Sequence, residues 1–405
     1  MSNKGFAPIF VILVLAVVVF GAVVFGLSTF KKNTGQPNSN SNSKNVSSEG
    51  KKGNHFSERH SQGKCEGTGT TTFTHSPMSL EDIGEILPYG IMIDAHVLPT
   101  SHGYFYPAVF NSARDAYPVY AVADAVIVSV SHRGEFIGDN VNDRVTDEYQ
   151  MYFEYSCTFY SYYDLLTSLS PEIEKAVGGK MTGFESKGVR IPVKAGQLVG
   201  RIGGQTVDFA VWNFEKTSAY FVNPKSYEGD EDRFYLEDMF KYFEEPLKSQ
   251  LLAKAKRTVE PRSGRVDYDI EGKLVGNWFR EGSNGFQGVR SSSRADDRYW
   301  DGHLSISYDF IEPSQIKFSI GNFEGKAAQF SIKDNAPDPA KVGVESGLIK
   351  YELVGTVSAD SPPGAPAGTV LLQLTEKNKL KLELFPGKSG DQVNGFTSSA
   401  LIYER

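Results

Sequence analysis

The side chains of this chain that can carry chemistry near neutral pH are few and scattered. Histidine, the residue suited to proton transfer and metal ligation, occurs seven times in 405 residues. His96 and His102 stand six apart, a spacing that matches neither a strand pair nor a helix pair, so they form no ligand pair by spacing, although both can line one groove. His132 reads as a turn residue. His55, His60 and His75 fall in or near a polar stretch and read as solvated, and His303 beside Asp301 reads as surface hydrogen bonding. Two cysteines are present, Cys65 and Cys157. Their spacing leaves a disulfide and two separate thiols equally open. Tyr104, Tyr106, Tyr152, Tyr155, Tyr160, Tyr162 and Tyr163 form an aromatic population suited to sheet packing, and also to a groove for a sugar or peptide chain.

The elements that must position these groups read as short strands broken by turns. In residues 66–228, Val119 to Val130 predicts two strands with a tight turn at Ala123-Asp124. Tyr152 to Tyr160 alternates aromatic and polar residues. Val193 to Gly203 predicts strand, turn and strand, and Val207 to Phe214 a last strand. Residues 229–257 predict a short helical connector: Phe234, Leu236, Met239, Phe240 and Phe243 recur at helical spacing, and Pro246 opens a second short helix. From residue 262 to 405 the period becomes two. Leu304, Ile306 and Tyr308, then Ile316, Phe318 and Ile320, then Leu380, Leu382 and Leu384 alternate with polar residues. Eight or nine strands are expected, with a hairpin tip at Lys377-Asn378 and a last strand through Phe396, Ala400 and Ile402, forming an antiparallel barrel or sandwich. Gly276-Asn277-Trp278 faintly resembles the Gly-x-Trp signature of lipocalin-like barrels. No nucleophile–base pair, phosphate loop or metal cluster is recognisable in this half.

The order of segments in the first half carries a resemblance. Pro118-Val119-Tyr120-Ala121-Val122-Ala123-Asp124-Ala125-Val126-Ile127, then Tyr162-Tyr163-Asp164-Leu165, then Val193-Lys194-Ala195-Gly196-Gln197-Leu198-Val199-Gly200-Arg201-Ile202-Gly203 and a closing strand resemble the lysostaphin-type zinc peptidases, the M23 or LytM-like family with its duplicated hybrid motif. The resemblance spans roughly residues 88–216. It implies a β domain with a zinc site made by an upstream His-x-x-x-Asp pair and a downstream His-x-His, whose two imidazoles share one strand face. His102 matches the first ligand. Tyr106 stands at the Asp position, Asp208 at the metal-binding His, Thr206 at the other His, and Asp164 at the catalytic His of the Tyr-x-His-Leu segment. The resemblance thus implies a degenerate domain, a pseudoenzyme with no metal and no cofactor, whose candidate groove is His102, Tyr106, Asp164, Thr206 and Asp208.

Ahead of this domain, residues 6–30, from Phe6 to Phe30, carry no charge, with Lys4 before and Lys31-Lys32 after. That length predicts a transmembrane helix kept as a signal anchor. Residues 33–64 are Ser- and Asn-rich and predict a flexible linker reaching roughly 30 Å. The expectation is a mainly β, single-pass cell-membrane protein with its bulk extracytoplasmic. Net charge of −7 excludes a nucleic-acid partner bound through a basic stripe. The expected role is binding or scaffolding at the cell envelope, with a cell-wall peptide or envelope protein as partner. Two alternatives remain open: a metal-dependent peptidase or other hydrolase with a site rearranged around His102, Asp164 and Asp208, and a small-ligand carrier using the C-terminal barrel.

Overall fold

The computed structural model describes residues 64–134, 147–288, 298–333, 336–356 and 363–405. The fold class expected from the sequence needs one correction. Among the described residues no helix is long and apolar enough to cross a membrane. The two α-helices, α1 (Pro171–Ala176) and α2 (Leu247–Lys254), have six and eight residues, and eight residues rise only about 12 Å against a hydrocarbon core of about 30 Å. The segment Phe6–Phe30, to which the sequence reading assigns the transmembrane helix, lies outside the described residues, and the fold class that the described residues show contains no membrane-crossing helix. It is mainly β.

Ten strands build the first half: β1 (Ile83–Leu87), β2 (Gly103–Pro107), β3 (Tyr117–Tyr120), β4 (Ala125–Arg133), β5 (Glu148–Ser156), β6 (Phe159–Leu166), β7 (Ser168–Leu169), β8 (Glu185–Val193), β9 (Leu198–Ile202) and β10 (Val207–Asn213). Seven form an antiparallel sheet in the order β1-β2-β10-β6-β5-β4-β8, and β3-β9-β7 form a second, smaller sheet. The strands flanking Ala123-Asp124 do form, but they do not pair with each other. β3 pairs with β9, whereas β4 pairs with β5 and β8. The chain therefore crosses between sheets at residues 121–124 and again at 194–197. Asp124 ties these crossings together, accepting from the Lys194 ammonium at 2.7 Å and the Ala195 amide at 2.9 Å. Gly196 supplies the left-handed backbone of the second crossing at φ +74°. Cys65 and Cys157 are joined by a disulfide, which pins the chain before β1 to the tip of the β5–β6 hairpin.

The connector departs from the helical pattern. Residues Glu231–Tyr235 form a 3-10 turn, and α2 is the one α-helix between β10 and the barrel. Pro246 caps its N-terminus. The apolar residues upstream bury in different places. Phe234 packs on Phe221 with ring centroids 5.0 Å apart, Leu236 bridges to Trp212, and Phe243 packs on Phe73 at 5.2 Å. Their recurrence every three or four residues reflects three separate tertiary contacts rather than one helix face.

The second half is a closed eight-stranded antiparallel barrel. Its strands are β11 (Gly276–Arg280), β12 (His303–Tyr308), β13 (Ile316–Phe323), β14 (Lys326–Ile332), β15 (Ile349–Gly355), β16 (Pro366–Glu376), β17 (Lys379–Pro386) and β18 (Leu401–Glu404). Each pairs with the next, and β18 closes on β11. Glu376 faces Lys379 across the Lys377-Asn378 tip. In the last strand Tyr403, rather than Ile402, enters the core, and Phe396 lies outside the strand under the Lys381 ammonium. With a period of two, a one-residue change of register exchanges the faces. Leu304, Ile306, Phe318, Leu372 and Leu382 are all fully buried in the interior, as expected for an eight-stranded barrel just wide enough to be filled by side chains.

The Gly-x-Trp segment sits where the barrel is plugged. Trp278 is fully buried, its indole donating to the Leu274 carbonyl at 2.9 Å. The Arg405 guanidinium lies 3.6 Å from the Trp278 ring centroid and 3.7 Å from the Asp269 carboxylate. A Cβ at position 276 would come within 2.3 Å of that carboxylate, at φ +119°, so only glycine admits the ion pair there.

Candidate functional site

Three residues far apart in sequence meet on one face of the seven-stranded sheet. Asp208 on β10 stands opposite Asp164 on β6 and opposite Tyr104 on β2. His102 precedes β2, and because residues i and i+2 share a strand face it stands beside Tyr104. The His102 Nε2 lies 3.0 Å from the Tyr104 hydroxyl and 3.4 Å from the Asp208 carboxylate. Thr206 donates its hydroxyl proton to the other Asp208 oxygen at 3.0 Å. Tyr106, two residues beyond Tyr104, stacks its ring on Phe110 at 5.4 Å. Of the five candidate residues named from the sequence, His102 and Thr206 contact Asp208 and Asp164 pairs with Asp208 across the sheet, whereas the ring contact of Tyr106 is with Phe110.

The sequence reading missed the group that dominates the cluster. Arg133, the last residue of β4, clasps Asp164 through both terminal nitrogens, each bonding one carboxylate oxygen. Gln150 donates to Asp164 at 2.9 Å, and the Leu165 amide does so at 2.7 Å. Asp164 therefore has a full set of donors. Arg133 also lies 3.8 Å from Glu148. No local pattern announces this arginine. It ends an apolar strand, a position where a basic residue is usually solvated, and it meets Asp164 only through the β4-β5-β6 order.

The cluster is enclosed. Tyr104, Tyr162, Asp164, Thr206 and Asp208 are all under 9% exposed, and the His102 side chain is 17% exposed. Residues 91–101 lie over it, with His96 meeting the His102 ring at 5.9 Å. From the connector, Arg233 donates to the Pro99 carbonyl at 2.5 Å. Burial, reinforced by His96, Arg233 and Arg133, drives the His102 imidazolium to deprotonate well below the ordinary histidine range. His96 is lowered to about 4 by burial and Arg233. Burial first, and the Asp164 charge second, raise the Asp208 carboxyl well above the usual carboxylate value. The arrangement is a neutral imidazole, a carboxyl that resists ionisation, and an Arg–carboxylate pair, all withdrawn from solvent.

These residues do not fit the zinc that the family resemblance implies. Both Asp164 oxygens are engaged by a guanidinium that would repel a second cation. Tyr106, at the position of an acidic ligand, keeps its proton, its pKa raised to about 12 by burial and by Asp208. Among the described residues no group of three His, Cys, Asp or Glu side chains could hold a metal ion.

Other histidines differ from their sequence reading. His132 is not in a turn. It lies on β4, 4% exposed, bonded to the Gly183 carbonyl at 2.7 Å and the Asp147 carboxylate at 2.8 Å. His303 is 1% exposed rather than on the surface, and its Nε2 faces the Phe286 carbonyl at 2.9 Å. His75 is exposed as expected, while His55 and His60 lie outside the described residues.

Comparison with known proteins adds little. No protein-family model matches the chain, and no curated protein does. Among solved structures it is similar to the antimicrobial peptidase lysostaphin from Staphylococcus simulans, at 15% identity and a TM-score of 0.24, covering 66% of this chain and 95% of that one. It is similar also to a solution structure of lysostaphin, at 12% identity and a TM-score of 0.23, covering 67% and 96%. At these TM-scores the likeness carries no argument about the site, and a functional reading rests on the side chains themselves.

Proposed function

We propose that this chain is a non-catalytic, extracytoplasmic protein whose peptidase-like domain binds or scaffolds at the cell envelope. The observation that carries the reading is the Arg133–Asp164 clasp. A carboxylate saturated by a guanidinium, an amide side chain and a backbone amide has no free lone pair with which to hold a metal or take a proton from water. The Cys65–Cys157 disulfide supports the compartment, since such bonds persist where thiols are oxidised. A cell-wall peptide or an envelope protein is the proposed partner.

The test uses the purified full chain and isolated peptidoglycan, with and without added zinc. The expected result is co-sedimentation with the polymer and no release of soluble peptides. Zinc-dependent peptide release would overturn the proposal.

A second reading, a hydrolase with a rearranged site, has one observation in its favour: His102 and Asp208 do approach to 3.4 Å. It needs hydrolysis that His102→Ala and Asp208→Asn both abolish.

A further inference from the structure

The face that carries the cluster lies opposite the core between the two sheets, yet its residues are as buried as core residues. Tyr152 and Trp212 pack on Tyr162 there, and over His102, which His96 meets at 5.9 Å, runs a strap, residues 91–101, stretched between two points. At its base the Gly90 amide donates to the Thr100 carbonyl at 2.9 Å and the Thr100 amide to the Ile91 carbonyl at 3.1 Å. Its tip is a tight turn in which the Ile93 and His96 backbones bond each other at 3.1 and 2.9 Å. The turn holds Asp94 in the left-handed region, φ +48°, which Asp adopts more readily than most non-glycine residues.

The contacts that hold this turn from outside come from the barrel. Gln329 on β14, 4% exposed, is bonded twice to the backbone of Asp94. Its amide oxygen accepts from the Asp94 N–H at 3.0 Å, and its amide nitrogen donates to the Asp94 carbonyl at 2.9 Å. A third bond, to the Ser319 hydroxyl at 3.3 Å, fixes the Gln329 rotamer. Beside it, Ser307 of β12 donates to the Met92 sulfur at 3.7 Å. The other side of the strap is held by Arg233 through the Pro99 carbonyl. An amide side chain that satisfies both polar groups of one backbone residue, 235 positions away in sequence, is a latch.

We propose that residues 91–101 are an inhibitory strap that the C-terminal barrel latches over the His102–Asp208 cluster through Gln329, so that the barrel governs access to this face. The binding role proposed above enters only in what would occupy the opened face. The latch itself is tested without any ligand.

The experiment is hydroxyl-radical footprinting of the full chain, read by mass spectrometry. Met92 reports the strap, Tyr104 and Tyr162 report the covered face, and Trp278 reports the integrity of the barrel. In the native chain Tyr104 and Tyr162 should be protected. In Gln329→Ala, oxidation of Tyr104 should rise roughly tenfold, the change that loss of two net hydrogen bonds makes to an open–closed equilibrium, that of half-exposed Met92 and of Tyr162, which Tyr152 and Trp212 also pack, should rise by less, and Trp278 should be unchanged. Gln329→Met keeps the side-chain volume and removes both bonds, and replaces the alanine variant if Trp278 becomes reactive there. Unchanged Met92 overturns the latch. Increased Met92 oxidation with unchanged Tyr104 and Tyr162 overturns the strap as the cover. Co-sedimentation no stronger in the opened variant than in the parent chain would refute this face as the polymer's site while leaving the strap intact.

Discussion

Replacing Arg133 with methionine keeps most of the aliphatic stem and removes the charge that Asp164 and Glu148 face. Asp164 is 7% exposed and Glu148 5%, so neither gains much water when the guanidinium leaves. Removing one partner of a buried ion pair costs about 3–5 kcal/mol. Asp164 keeps its bonds from Gln150 and the Leu165 amide, which places the expected loss near the lower end, about 3 kcal/mol. The second variant of the cycle, Arg133→Met with Asp164→Asn, removes the nearer of the two stranded charges, Glu148 keeping the other, and should recover about 2 kcal/mol of that loss. The assay is urea unfolding of the full chain at pH 7, followed by tyrosine and tryptophan fluorescence, with the single and double variants beside the parent. A loss below about 1 kcal/mol in Arg133→Met would place the pair in the class of solvent-exposed bridges and refute the claim that this guanidinium is the organising charge of the cluster. So would a double variant no more stable than the single one.

Three further outcomes are expected. Arg405→Met leaves Asp269, 2% exposed, without its partner and strips the cation from Trp278, so the barrel should lose about 3 kcal/mol or more in the same unfolding assay. Burial holds the His303 imidazole neutral, with its pKa lowered to about 3, whereas the unfolded chain takes up that proton near pH 6.5. The stabilisation is therefore present above pH 6.5 and is lost as pH falls, and between pH 7 and pH 5 the parent should lose about 2 kcal/mol more than His303→Gln, measured as parallel unfolding curves. The disulfide spans a sequence separation of 92. Cys65→Ser with Cys157→Ser should destabilise the first half by about 4.6 kcal/mol in the loop-closure picture, read as an earlier unfolding transition with the barrel transition in place.

Part of this molecule was legible along the chain because strands and turns are local. Alternation of Leu304, Ile306 and Phe318 with serine and lysine marks barrel strands wherever they finally pair, and Lys377-Asn378 marks a hairpin because the residues on either side of it must meet. The glycine of Lys194-Ala195-Gly196 marks a turn because that residue type tolerates the left-handed backbone there, whereas the pairing of β8 and β9 with different partners decides that the turn passes from one sheet to the other. The helical reading of 234–243 failed for the complementary reason: a spacing of three to four residues signals a helix only when one surface receives all the side chains, and here three surfaces do.

The site divides in the same way. His102, Asp164, Thr206 and Asp208 were named from segment order, and the sheet brings them together because β2, β10 and β6 are neighbours. What surrounds them is set by residues with no local signature. Arg133 reaches Asp164 from two strands away, Gln329 reaches Asp94 from the other half of the chain, and Arg405 reaches Trp278 by closure of the barrel. Each bond joins groups 31 to 235 residues apart or across the β18–β11 closure. Charge pairing and burial are properties of distance in space, and residue type and spacing carry that distance only across a turn or along one strand.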